Sequence, residues 1–327
     1  MKLLEQVDGV VFGPKSMTWQ GLTLALEEAQ KMIPIGMEGD YLSMSCITCS
    51  VTELGTFLRP QDKEMVDVIV DLWDGQIEEW TRKLKHSSDT RIENPWINLI
   101  ACTTPSWLSD NFPESMIGGG LTSRIVWVYG DKKRQLVAYP GDIISEEEFT
   151  DDAKKLIEDL NKMAEIKGEY ELEDRAKVWG KEWYENHWKT RPVHMASERY
   201  SGYIARKQTH IHKLAIVVAA AQRPGLVITE GDLIIADNMT TGLEASMGKV
   251  FQSIGAGDVS RFVTEIISYI KAYNGIEVKA LWRHMLPIMA PREFDEATKA
   301  AIKAGYIKLE GTKYSIVKKP KPTTKGK

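Results

Sequence analysis

Two apolar runs separated by a turn-rich segment constrain this chain more than any other feature. They lie in Asn94–Gly130, NPWINLIACTTPSWLSDNFPESMIGGGLTSRIVWVYG. The first run, Trp96–Cys102, ends on Thr103-Thr104-Pro105; the second, Ile125–Tyr129, follows Leu121-Thr122-Ser123-Arg124 after a glycine triplet. A buried strand that ends in polar residues presents them at the carboxyl edge of a sheet, where α/β proteins bind ligands. An arginine held just before a buried strand suits a phosphate contact from a fixed position.

The rest of the chain reads as α/β first and helical later. Val7–Phe12 and Tyr41–Val51 read as strands, and buried parallel strands run as continuous apolar segments. Ser16 or Thr18 can cap a helix to about Lys31, and Asp62–Lys85 has one apolar side through Met65, Val66, Ile69, Leu72 and Trp73. From Glu146 the sequence turns to amphipathic helices, expected at Asp151–Lys167, Asp174–Lys189, Ser197–Ala221 and Leu233–Phe251. Gly255-Ala256-Gly257 reads as a linker. Helices over Val259–Tyr273, Val278–Met285 and Pro291–Ala304, then a hairpin around Glu310-Gly311-Thr312-Lys313, predict a winged helix.

Composition narrows the partners. The 327 residues are 43% hydrophobic and 27% charged, as in an ordinary globular protein. No signal peptide pattern opens the sequence, and the apolar stretch Leu214–Ala221 is too short to span a bilayer. Three cysteines fit a reducing cytoplasm better than a disulfide framework. Net charge is −4 with five lysines in the last ten residues, leaving −9 on Met1–Val317. DNA contact therefore requires a local patch, a ring lumen or the basic tail.

Several residues stand where chemistry is expected. Glu53, after the Tyr41–Val51 strand, suits a carboxylate that orients an attacking water; a capping or solvated Glu is the plainer reading. Thr52 beside it is a poorer Mg²⁺ partner than a carboxylate. Thr104 ends the next strand and also suits a helix cap. Arg124 has a local carboxylate partner as its plainer reading. Arg206 and Lys213 share one face of a helix, with Arg199 a competing cation. Cys46 and Cys49 fall on opposite faces of a strand and read as two buried thiols. His210 and His212 are badly spaced to share an ion. The tryptophans at 179, 183 and 188 read as helix packing. In the winged helix, Pro291–Ala304 is charge-balanced, so Lys308, Lys313, Lys318 and Lys319 are the candidate DNA contacts.

A phosphate-binding loop, G-x-x-x-x-G-K-[ST], surrounds a triphosphate with consecutive amides and a lysine. That string does not occur. Gly13-Pro14-Lys15-Ser16 imitates its end, but the spacing from Gly9 is short and Pro14 lacks an N–H. It reads as a strand-to-helix turn.

Together these segments resemble the C-terminal part of phage and plasmid replicative primase-helicase ATPases, of the RecA-like/AAA+ class. GPKSMTWQGLTLAL (13–26), VTELGTFL (51–58), NPWINLIACTTPSWLSDNF (94–112), GGGLTSRIVWVYG (118–130) and HIHKLAIVVAAA (210–221) carry the resemblance. Leu-Thr-Ser-Arg is similar to the L-x-S-R segment of minichromosome-maintenance helicases. The resemblance implies that Glu53 is the Walker B glutamate, Thr104 sensor 1, Arg124 an arginine finger acting across a subunit interface, and Arg206 sensor 2. Thr52, Thr103 and Arg199 are implied nucleotide contacts.

The implied architecture is a partial RecA-like/AAA+ parallel sheet (1–147), a helical lid (148–255), a winged helix (258–317) and a basic tail (318–327). The implied function is an ATP-dependent DNA-unwinding ring using ATP and Mg²⁺ on single-stranded or forked DNA. The missing loop should come from another, upstream-encoded polypeptide or an upstream frame, unless the domain has been remodelled. The chain alone should hydrolyse ATP poorly or not at all. The competing expectation is a non-catalytic DNA-binding replication scaffold with a decayed ATPase fold.

Overall fold

The computed structural model describes residues 3–35, 39–59, 61–75, 78–82, 90–112, 116, 120–130, 132–139, 145–251, 258–273 and 275–317. The linker at 255–257, Lys318 and Lys319 lie outside them. The chain is mixed α/β with small mixed sheets, and it divides into two compact units, Met1–Phe251 and Gln252–Lys327. No helix among the described residues is long and apolar enough to cross a membrane.

In the first unit, helix α1 (Trp19–Glu28) starts where the Thr18 side chain accepts from Gly21 N. It buries Leu22 and Leu26 completely. The helix expected to reach Lys31 stops short, because Gln30–Ile35 forms strand β1, antiparallel to β2 (Asp40–Val51). Proline at Pro34 suits an edge strand, where a missing N–H costs nothing. The predicted strand at Val7–Phe12 reduces to one parallel bridge, Phe12 to Thr48.

After a short helix α2 (Leu54–Phe57) comes α3 (Lys63–Trp73), capped by the Asp62 side chain on Met65 N. Met65, Val68, Ile69 and Leu72 form its buried face at the spacing of an amphipathic helix. The expected helix to Lys85 ends twelve residues early, because Gly75 takes φ +66°, a left-handed stop that glycine accepts freely. Strands β3 (Glu79–Arg82) and β4 (Thr90–Glu93) then pair with each other.

Strand β5 (Pro95–Ala101) runs parallel to β2, with Cys46 opposite Trp96 and Val51 opposite Ala101. The sheet order is β1-β2-β5. The expectation of strands buried on both faces is corrected. Ile47, Cys49 and Val51 are buried, the alternating members of β2 are half-buried, and Asn98 and Ile100 on β5 are exposed. One face of this parallel pair packs and the other does not.

Helix α4 (Pro105–Asn111) follows β5 directly. Then comes a single 3-10 turn, Thr122–Arg124. The strand predicted at Ile125–Tyr129 does not form. Instead the Trp127 Nε1 donates to the Thr122 carbonyl (3.1 Å), and its ring meets Phe251 edge-on at 5.4 Å. The run is held by the helical layer, not by a ladder.

That layer contains α5 (Glu146–Ala164), β6 (Glu171–Leu172), α6 (Asp174–Lys189), α7 (Ser201–Gln222), β7 (Val227–Ile228) and α8 (Glu230–Phe251). Ala176, Ile211, Ala215, Ile228, Leu233 and Ala236 form its core, with Trp179 and Trp183 packed on it. Between α7 and α8 lies a buried polar cluster. Lys207 Nζ is 2.7 Å from Glu244 Oε1, 2.9 Å from Thr241 Oγ1 and 3.5 Å from Asp237 Oδ1. The Tyr203 hydroxyl donates to the same Glu244 oxygen at 3.2 Å. Burial, and then the Glu244 charge, push the Tyr203 phenol well above its ordinary value.

The second unit packs α9 (Asp258–Ala272), α10 (Val278–Met285) and α11 (Pro291–Lys303) around Ile266, Ile270, Leu281, Met285, Ala297 and Ala301. Strands β8 (Ile276–Glu277), β9 (Ile307–Glu310) and β10 (Lys313–Ile316) form an antiparallel sheet in the order β8-β10-β9.

Candidate functional site

The parallel pair places two polar clusters side by side. Val51 and Ala101 are in register, so Thr52-Glu53 and Cys102-Thr103-Thr104 leave the carboxyl ends of neighbouring strands. The turns are tied together where Leu54 N donates to the Cys102 carbonyl (2.7 Å). Glu53 is exposed and makes no capping bond with its side chain. Its carbonyl accepts from Thr56 N and Thr56 Oγ1, which holds the backbone and leaves the carboxylate facing solvent. Thr104 is exposed and caps α4: its Oγ1 accepts from Trp107 N (3.2 Å) and lies 3.0 Å from Ser106 Oγ. Thr52 is exposed and Thr103 half-buried. Gly55 keeps this edge tight, since a Cβ there would sit 2.7 Å from the Trp107 ring.

A second constellation stands at the end of α3. Gly75 lets the Trp96 ring approach to where a Cβ would be, 2.7 Å away, and Trp73 and Asp74 sit just before it. Lys213 Nζ donates to the Trp73 carbonyl (2.7 Å) and lies over the rings of Trp73 (4.8 Å) and Trp96 (5.0 Å). Arg124 lies over the other side of this corner, 5.5 Å from the Trp73 ring. Its Nη1 donates to the Gly120 carbonyl (2.9 Å), and Nη2 is 3.6 Å from Asp74 Oδ2. The Arg124 side chain is 12% exposed, and its Nε is buried without a hydrogen bond. A buried, unsatisfied donor on a charged group is costly.

Arg206 lies within the electrostatic reach of both Arg124 and Asp74. Burial first, then Arg124, lower its affinity for a proton, and Asp74 opposes them. Burial likewise lowers Lys213, against Asp74. Of these cations Arg124 alone is within ion-pair distance of Asp74; Arg206 donates to the Gly202 carbonyl (3.3 Å) and Lys213 to that of Trp73, and both feel the carboxylate from farther away.

His210 joins the 3-10 turn to α7. Its Nε2 lies 2.9 Å from the Ser123 carbonyl; a carbonyl only accepts, so Nε2 carries the hydrogen. The ring meets Trp73 edge-on at 5.3 Å and Tyr203 face-on at 5.8 Å. Burial lowers its pKa and keeps it neutral. Sequence reasoning weighed His210 only as a metal ligand and overlooked this tether. It also overlooked Asp74 and placed Trp73 only on an apolar helix side, although the Trp-Asp-Gly string at 73–75 was a legible helix stop.

The structure therefore brings Glu53 together with Thr104, and Arg124 together with Arg206, but keeps the two pairs apart. Arg199 belongs to neither, since its Nη2 donates to the Phe251 carbonyl at the end of α8 (3.2 Å). Lys308 is paired with Glu310 (2.6 Å) and Lys313 with Glu277 (3.8 Å). Cys46 is half-buried and Cys49 buried. Burial pushes both thiols up, Cys49 to about 11, so neither is a reactive thiolate. Among the described residues no three His, Cys, Asp or Glu side chains are grouped to hold a metal ion. A scan against protein-family models and a search of the curated proteins find no match to this sequence.

Proposed function

We propose that the chain is the water-positioning and trans-acting part of an ATP-driven DNA-unwinding motor of the RecA-like/AAA+ class, working as a ring. Glu53 orients the attacking water and Thr104 senses the γ-phosphate at one edge of the sheet. Arg124 and Arg206 serve the nucleotide of a neighbouring copy. Thr52 would offer Mg²⁺ only a hydroxyl, so this chain would contribute little to holding the ion, which would supply charge neutralisation at the phosphates.

One observation carries this reading. The carboxylate and the arginines stand at opposite ends of the same strand. Thr104 follows the last residue of β5, whereas the arginine corner is built on Trp96 and the end of α3, near its start. Five residues of strand span about 16 Å, more than an arginine side chain can reach. Within one copy, Arg124 cannot serve a phosphate held at Glu53. An arginine that meets charge developing on another subunit's phosphate accelerates transfer by about 10³–10⁵. The excess of cations near Asp74 supports an anion as a further partner.

The unit around residues 258–317 is read as a winged helix that contacts DNA. Lys308 and Lys313 would exchange Glu310 and Glu277 for phosphates. Exposed ion pairs are worth only about 0–1 kcal/mol, so that exchange costs little.

Subunit mixing tests the proposal. The assay contains ATP, DNA and a polypeptide carrying a phosphate-binding loop. Glu53→Gln and Arg124→Ala chains should each be inactive, and their mixture should recover turnover at interfaces with both residues intact. A mixture as dead as its components, in oligomers shown to exchange subunits, removes the trans assignment.

A further inference from the structure

The three tryptophans of α6 have different surroundings. Trp179 and Trp183 pack on the core around Ala176, Ile211 and Leu233 and stack on each other, with ring centroids 6.4 Å apart at 27°. The stack continues from Trp183 to the His187 ring (4.6 Å, 12°), and His187 Nε2 lies 2.9 Å from the Ile204 carbonyl on α7. Helix packing, expected of all three tryptophans, therefore holds for two. Trp188 is 55% exposed and Tyr184 46%. Their rings meet edge-on at 6.2 Å, so the pair offers aromatic surface to solvent.

Helical spacing adds charge to that surface. Steps of four, three and four residues lead from Lys177 through Lys181 and Tyr184 to Trp188, which places all four on one face of α6. All four are exposed. Lys177 has an exposed pairing with Asp174 (3.6 Å), of a kind that exchanges at little cost. Among the described residues Lys181 makes no ion pair. Glu185, on the flank, is engaged by Lys189 (3.0 Å). At Gly180, one turn before Tyr184, an added Cβ would meet nothing within 4 Å, so the surface beside the rings is unobstructed. Met1–Val317 carries −9, yet Asp174–Arg191 holds five Lys and Arg against three acids. The aromatic pair thus stands on a basic helix of an acidic body.

A solitary exposed aromatic is ordinary. Two in contact, in line with two lysines, match the chemistry of an unpaired nucleic-acid strand. Every base has a π face to lay on an aromatic ring, and the strand's phosphates meet ammonium groups. A duplex keeps its base faces inside its own stack, and two lysines alone are a weak phosphate contact. We infer that the face of α6 formed by Lys177, Lys181, Tyr184 and Trp188 is a stacking platform for single-stranded nucleic acid, in which Lys308 and Lys313 take no part. The inference goes beyond the motor reading, because it needs neither a nucleotide nor the arginine corner.

Removing the ring and removing the bases together test it. The full chain, without ATP, is titrated into two fluorescent probes of about ten units, an oligothymidylate and an abasic sugar-phosphate strand of the same length, and anisotropy gives the affinities. Trp188→Ala should weaken oligothymidylate binding by about tenfold and leave abasic binding unchanged. Trp188→Phe, which keeps a ring, should retain most of the affinity. Lys181→Ala should weaken both probes alike and lower the slope of log affinity against log salt by about 0.7. Oligothymidylate binding that survives Trp188→Ala overturns the inference, as does an equal loss on the two probes. ATP turnover enters none of these readings, so the platform can stand where the motor fails, and its loss leaves the motor untouched.

Discussion

The carboxyl edge of the parallel pair and the basic corner at the end of α3 are built on opposite principles. At the edge, Glu53 and Thr104 are exposed and held only through their backbones or a helix cap. At the corner, Arg124, Lys213 and His210 are largely withdrawn from water and lock onto carbonyls, indole rings and one carboxylate. The first arrangement leaves the Glu53 carboxylate to solvent. The second is organised already, and desolvated cations act more strongly on a nearby anion than solvated ones. On the proposed reading, a group that acts on another molecule's phosphate gains from being fixed in advance, whereas a water-orienting carboxylate needs solvent access.

The sharpest break of that comparison is Arg124→Ala. Oligomers should still assemble, and turnover should fall by about 10³ or more, measured as steady-state phosphate release at matched oligomer concentration with DNA and the phosphate-loop polypeptide present. Unchanged turnover makes the corner a structural device only.

Next comes the support behind the corner. Lys207 and Glu244 are 8% and 1% exposed. Glu244→Gln leaves a buried lysine short of its main partner and should cost about 3–5 kcal/mol in denaturant unfolding of the Met1–Phe251 unit. Paired replacement of both residues by apolar ones should recover most of that loss; if it does not, the cluster is more than a compensated ion pair.

Acid should loosen the corner before the edge. His210 is neutral in the fold because burial depresses its pKa, so the unfolded chain binds the extra proton. Its contribution is complete above the free-histidine value of about 6.5 and falls as pH drops below it. His210→Gln should flatten that part of the stability-against-pH curve, and an unaltered slope would place the titration elsewhere.

At the edge the stability effects shrink. Thr104→Ala removes the cap of α4 and should cost about 1 kcal/mol. Glu53→Gln should change stability by less than about 0.5 kcal/mol, since the side chain is exposed and caps nothing. A large loss from Glu53→Gln would mean the carboxylate has a structural partner after all, and the contrast between the two regions would lapse.

Much of the local structure was legible from residue order. Thr18 and Asp62 cap their helices as side-chain oxygens before apolar periodic segments do, and Asp174–Lys189 and Val278–Met285 form where periodicity puts them. The polar ends of β2 and β5 were legible too, because an apolar run that stops on Thr-Glu or Thr-Thr-Pro leaves its last residues at an edge. What failed was judgement about partners. Ile125–Tyr129 has a strand's composition but becomes an extended segment pinned by Trp127. Tyr41–Val51 reads as a doubly buried strand but is covered on one face. Composition states that a segment prefers burial; it does not state what will cover it.

The chain's order of residues determined where helices begin and stop, which strand ends are polar, and that no triphosphate-gripping loop lies among the 327 positions. These are local properties, set by caps, glycines and periodicity over a few turns of backbone. Only the tertiary structure decided that Arg124, Arg206, Lys213 and His210 share a corner with Trp73 and Asp74, and that this corner and Glu53 lie toward opposite ends of β5. Contacts between residues far apart in sequence depend on how whole elements pack, and side-chain volume, burial and charge at those junctions are fixed by the fold rather than by any short stretch of it.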